Sequence, residues 1–155
     1  MEKVLQQNFV AIWHHFLSFE ISRSKFAVET WGSGNAYLIF QVIAWHHILV
    51  MMDETNAQIR KEAVQVWFEL SKSGFKTRSV LTYSLISSLT SLSIETVRRQ
   101  VKKLEKKHWV LYSKKEGVKF CPSEENNKFL ADVFNVKEVR DLGRFLDVIE
   151  KQKQN

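Results

Sequence analysis

The chain has 155 residues, of which 45% are hydrophobic, 26% charged and 12% aromatic, with five glycines and one proline. That composition excludes a disordered chain, and so few turn formers argue against an all-β protein; one domain dominated by helix is expected. The formal charge of +6 is local: residues 94–119 hold nine Lys and Arg against three Glu, and the remainder carries 14 of each sign.

From Val4 onward, Leu5, Phe9, Ile12, Trp13, Phe16 and Leu17 recur at the spacing of one helix face, predicting a first helix to about Val28. No basic stretch followed by an apolar run and a small-residue cleavage site is present there, so no secretion signal is expected. Trp31-Gly32-Ser33-Gly34-Asn35 breaks this helix, with Asn35 a candidate cap for the next. The second helix, residues 36–53, is apolar nearly all round. Its apolar stretch is shorter than the roughly 20 residues of a membrane-spanning helix. It also carries Gln41, His46 and His47, so a covered core helix is expected and no membrane partner. A third helix follows Thr55 or Asn56, with Ile59, Ala63, Val66, Trp67 and Leu70 on one face, and stops near Gly74.

Residues 79–90 read as a fourth helix through Val80, Leu81, Leu85, Ile86 and Leu89, followed by the turn Ser91-Leu92-Ser93. Ile94, Val97, Val101 and Leu104, spaced 3, 4 and 3, mark the buried side of a helix to Lys107, with Ser93 as N-cap and Glu95 in its first turn. Residues 109–112 and 118–121 read as short strands joined by a turn in which Gly117 supplies a positive φ. Pro122 ends the second strand, Ser123 caps a helix to about Phe134, and a last helix covers residues 136–151. Phe129, Leu130, Val133, Phe134, Val139, Leu142, Phe145, Leu146 and Ile149 form an apolar stripe there. With the second helix, it is more than a monomer of this length hides, so a twofold homodimer is expected. The lone Cys121 allows no internal disulfide and suits a reducing cytoplasm.

Trp-His-His occurs twice, at Trp13-His14-His15 and Trp45-His46-His47. Adjacent residues on a helix point about 100° apart, so a site would need one His from each helix. Polar edges of packed helices are the simpler reading. Trp13, His14, Trp45 and His46 are kept as candidates for a small-molecule effector pocket, against ordinary packing. No Gly-rich phosphate loop, metal-spaced cluster or Ser/His/Asp set stands out, so neither enzymatic activity, catalytic residues, a metal nor any cofactor is expected.

Helix, three-residue turn, helix and two-strand hairpin make the winged helix-turn-helix pattern. The motif from Ser93-Ile94-Glu95-Thr96-Val97-Arg98-Arg99-Gln100-Val101 to Leu104-Glu105 and Trp109-Val110 resembles bacterial winged-helix transcription regulators. These commonly read Ser-x-x-Thr-Val-x-Arg-x-Leu-x-x-Leu-Glu-x-x-Gly-Leu-Ile. Glu95-Thr96-Val97-x-Arg99 is also similar to the recognition motif of the catabolite-activator family, which implies base reading by Glu95 and Arg99. That family often has Arg at the place of Ile94, and its Gly-rich cyclic-nucleotide roll has no counterpart here. Helices on both sides of the module look more like the multiple-antibiotic-resistance repressor family of cytoplasmic homodimers. The extra N-terminal helix, and His108 where Gly is usual, depart from it.

The fold expected is therefore mainly α with a small β-hairpin wing. It divides into a helical region for dimerisation or an effector pocket (1–55), a winged helix-turn-helix (56–122) and C-terminal dimerisation helices (123–155). A major groove admits one helix, whose outer side presents donors to base edges and phosphates. Glu95, Thr96, Arg98, Arg99 and Gln100 are the candidate base-contacting residues, and Ser93, Lys102, Lys103, Lys106, Lys107, Lys114, Lys115 and Lys119 the candidate backbone contacts. The expected partner is double-stranded DNA, and the expected function is sequence-specific transcription regulation, by repression or activation, on a palindromic operator. A winged-helix protein-interaction module is the alternative.

Overall fold

Trp31 and the glycines that follow it fold the first 54 residues into a helical hairpin. The computed structural model describes residues 1–54, Glu62, Glu69 and residues 80–153. The expected third helix with Trp67, and the link through Arg78 to Ser79, lie outside the described residues. Helices α1 (Glu2–Gln7), α2 (Phe9–Trp31) and α3 (Gly34–Glu54) replace the two helices expected there. The first is interrupted at Asn8 (φ −114°, ψ 28°), whose backbone N–H and side-chain amide both donate to the Val4 carbonyl, at 3.1 and 3.2 Å, and so close off the first helix. Gly32 at φ +91° ends α2, its N–H donating to the Val28 carbonyl at 2.7 Å. Ser33, rather than Asn35, caps α3: its Oγ accepts the Ala36 N–H at 3.1 Å.

Helix α3 is long and apolar enough by composition to cross a membrane, with mean hydropathy 1.3 over Gly34–Met52. In this fold it is the central core helix, burying Ala36, Ile39, Phe40 and Ile43. It lies against α2, against α4 (Tyr83–Thr90) and α5 (Ile94–Lys106), and against the hairpin of β1 (Val110–Ser113) and β2 (Gly117–Phe120). Leu38, Trp45, Ile48, Leu49 and Met52 remain exposed on its other side.

Helix α4 begins at Tyr83, later than the residue-79 start expected. Leu81 bridges Gly117, its carbonyl accepting the Val118 N–H at 2.8 Å, and Thr82 caps the helix by accepting the Leu85 N–H at 3.1 Å. Ser93 caps α5 as expected, accepting the Thr96 N–H at 3.2 Å. Val97, Val101 and Leu104 are fully buried, but Ile94, the first residue of the helix, lies outside the core and is 53% exposed. The strands pair antiparallel, Val110 opposite Phe120 and Ser113 opposite Gly117. The first starts one residue late because the Trp109 N–H is used to close α5, donating to the Leu104 carbonyl.

Ser123 caps α6 (Glu124–Phe129), which passes through a π-helical turn (Leu130–Phe134) into α7 (Asn135–Lys153). The break expected near Phe134 is absent, since Leu130 and Asn135 keep right-handed helical angles. Helix α7 runs along α2: Arg23 pairs with Glu138 at 2.7 Å, Lys137 reaches Ser22 at 3.2 Å, and Phe145 lies 5.8 and 5.9 Å from Phe16 and Phe19. Of the C-terminal stripe, Leu130, Phe134 and Ile149 are buried within the chain, while Val133, Val139, Leu142 and Leu146 are exposed.

The Trp31 ring stacks on Tyr37 (5.4 Å) and Phe40 (4.3 Å), meets Phe134 edge-on (4.8 Å) and tilts against Trp109 (5.8 Å). One cluster thus joins α2, α3, the segment between α5 and β1, and the C-terminal helix.

Gly117 is required twice over: it sits at φ +70°, and a Cβ there would lie 2.5 Å from the Leu81 carbonyl oxygen. Gly117→Ala should lower stability by about 1–3 kcal/mol, by the usual cost of such strain, read as a fall in the urea midpoint.

Candidate nucleic-acid interface

Helix α5 has one apolar and one basic side because its buried residues fall at the 3, 4, 3 spacing and its cations fall between them. Glu95, Arg98, Arg99, Lys102, Lys103 and Lys106 line one shallow open surface along its outer side. Five cations and one carboxylate therefore face solvent on a helix held by Val97, Val101 and Leu104. Glu95 is ion-paired with Arg98 one turn on, whereas Arg99 beside them makes no ion pair among the described residues. Glu95 and Arg99, the two residues singled out in the sequence, thus share one surface, and the carboxylate is held by a guanidinium.

Two expected contacts are covered, and a third, Lys107, is exposed but reaches back toward α2. Gln100 is 6% exposed, because it stands three residues after Val97 and four before Leu104 on the buried side. The Lys107 ammonium lies at the end of α2, 3.4 Å from where a Gly32 Cβ would be, close to the carbonyl-rich terminus that attracts a cation. Lys119 pairs with Glu116 at 2.8 Å and its side chain is largely covered. Thr96 is half-buried, and its hydroxyl accepts from Ser93 at 2.9 Å within the helix cap. Lys102, Lys103, Lys106, Lys114 and Lys115 are exposed as expected.

The hairpin is fastened to the basic helix, since Glu105 Oε1 accepts the Tyr112 N–H at 3.0 Å. Tyr112 also stacks on Tyr83 at 4.3 Å and 18°, so an aromatic pair flanks α5 between α4 and β1. Burial first, then Tyr112 and Glu105, push the Tyr83 phenol up to about 12, against the opposing pull of Arg98, so it remains a neutral hydrogen-bond donor. This pair was not legible in the sequence: the tyrosines stand 29 positions apart and meet only through the fold.

Asn126 was also missed. Its side-chain amide donates to the Lys107 carbonyl at 2.8 Å and to the His108 carbonyl at 2.9 Å, and the Ser123 N–H reaches the His108 carbonyl at 2.8 Å. These bonds pin the end of the basic helix to α6 at the point where His108 takes a left-handed φ of +58°.

The effector-pocket candidates are not brought together. Trp13 stacks on Phe9 at 5.2 Å and tilts against Phe16 at 5.0 Å, all on α2, His14 meets His15 edge-on, and Trp45 is exposed on α3. His47, rather than His46, turns into the core, 4.8 Å from the Phe120 ring. Among the described residues, no group of three or more His, Cys, Asp or Glu is placed to hold a metal ion. No known family, curated protein or solved structure matches the chain.

Asn126→Ala removes both side-chain bonds to the end of α5 and should cost about 1–3 kcal/mol. Adding His108→Gly, which relieves the left-handed backbone, should recover part of that loss; urea unfolding followed by tryptophan fluorescence measures both.

Proposed function

We propose that the chain is a sequence-specific, DNA-binding transcription regulator of winged helix-turn-helix type, with α5 as the recognition helix. The observation that carries this reading is the two-sided character of α5, an apolar side locked into the core and an outer side of five cations and one carboxylate. A solvated surface helix needs no such excess of one sign, and the two exposed hairpin lysines extend it. In the major groove, Arg99 grips guanine O6 and N7, and Glu95 accepts from cytosine N4 when Arg98 turns to the backbone. Lys102, Lys103 and Lys106 meet phosphates beside the groove, while the hairpin, acting as the wing, brings Lys114 and Lys115 to the backbone or minor groove. The regulator acts as a homodimer on a palindromic operator.

Titration against random duplex at several salt concentrations tests the reading, because each phosphate contact releases counterions. Lys106→Ala should weaken binding to all sequences alike and reduce the salt slope by about 1; Arg99→Ala should cost about 1–3 kcal/mol on the preferred site and relax base choice. An absence of salt-dependent binding would remove this function and favour a protein-interaction module.

A further inference from the structure

Helix α2 presents an apolar line that nothing in the described chain covers. Val10 (81% exposed), Leu17, Ile21 (68% exposed) and Val28 are spaced by 7, 4 and 7, so at 100° per residue they fall within about 40° of one another. Trp13 and, farther round, Phe9, both about half exposed, lie to one side of them. This side of α2 is opposite the one that carries Ser22 and Arg23 to α7 and Phe26 to the π-helical turn, so the hairpin and the C-terminal helix leave it open.

With roughly 150–250 Å² for a fully exposed aromatic and somewhat less for an aliphatic, these six side chains leave on the order of 600 Å² of apolar surface in water. That reaches the top of the roughly 300–600 Å² range for the largest patch on a monomer. Together with the stems of neighbouring polar residues, it approaches the roughly 800 Å² per partner of a stable interface.

We infer that this line is the contact between two copies of the chain, packed as antiparallel α2 helices about a twofold axis beside residue 19. An antiparallel pair sets residue i against 38 − i, which places Val10 against Val28 and Leu17 against Ile21 in both directions. Shifting the register by a turn or by a heptad puts polar positions against some of these four. Ser24, a small residue, then lies near Trp13 of the other copy.

The same register sets a distance. Trp31, where the basic module docks on α2 through Trp109, lies 12 residues along α2 from the axis beside residue 19. At 1.5 Å per residue the two Trp31 residues are about 36 Å apart along the helix axis, which matches the 34–36 Å between successive turns of a major groove on one face of DNA. A parallel pair would set both modules at one level instead. The antiparallel choice rests on the DNA-binding reading, whereas the existence of the contact rests on the exposed line alone.

The test uses the full chain with Cys121→Ser and single cysteines at the interface. Sedimentation at micromolar concentration should give a dimer, and Ile21→Glu should give a folded monomer, with an unchanged helical circular dichroism spectrum. On oxidation, a mixture of Leu17→Cys and Ile21→Cys proteins should cross-link at least tenfold more than either alone. A monomeric parent, a dimer indifferent to Ile21→Glu, or cross-linking of Leu17→Cys with itself would each overturn the inference. DNA binding is read separately. A cross-linked dimer that binds no duplex leaves the contact standing and removes the DNA reading; a monomer that still binds duplex does the reverse.

Discussion

The structure depends on the aromatic cluster around Trp31. A tryptophan at the end of α2 meets Tyr37 and Phe40 at the start of α3, Trp109 just after α5, and Phe134 in the C-terminal helix. Offset-stacked and edge-on ring pairs add on the order of 0.5–1.5 kcal/mol each to the burial of their area. They also fix orientation, which a sliding contact between aliphatic faces does not. The glycine that follows serves the same joint, since its left-handed φ turns the chain sharply enough to bring Tyr37 back onto Trp31.

That joint matters because the basic helix is short and most of its residues are charged. Its position comes from outside itself: three apolar residues in the core, the Ser93 cap at one end, Asn126 at the other, and Glu105 tying the hairpin to its flank. A helix so held presents Arg98, Arg99 and the lysines as a fixed array; on the proposed DNA-binding reading, that lowers the entropy cost of meeting a regular line of phosphates. The Glu95–Arg98 pair holds both side chains, and under the proposed function a base edge or phosphate would compete for them. Being exposed and one turn apart, the pair is weak, and exchange is cheap.

Periodicity made the helices legible, and the Ser93 and Ser123 caps fixed two of their starts. The concentration of charge in one helix and one hairpin could be read by counting. What failed depended on tertiary contacts: Leu81 was drawn out of the helical pattern by pairing with Gly117, and Gln100 was buried by its position between Val97 and Leu104 despite its amide. Lys107 sits at the right end of a basic run, yet its ammonium finds the end of α2. The continuity of α6 into α7 through a π-helical turn was hidden because Asn135 and Val136 resemble the start of a new helix. Asn126 and the tyrosine pair were invisible because each acts on residues distant in sequence.

Under the proposed function, the outer side of α5 reads a DNA sequence as part of a twofold pair. Selecting bound sequences from a random duplex library with the full chain tests it most directly. The expected result is enrichment of an inverted repeat whose half-sites lie about one helical turn apart, with a G·C pair under Arg99. Recovery of unselected sequence, or of a single half-site by a protein that is dimeric in solution, would contradict it.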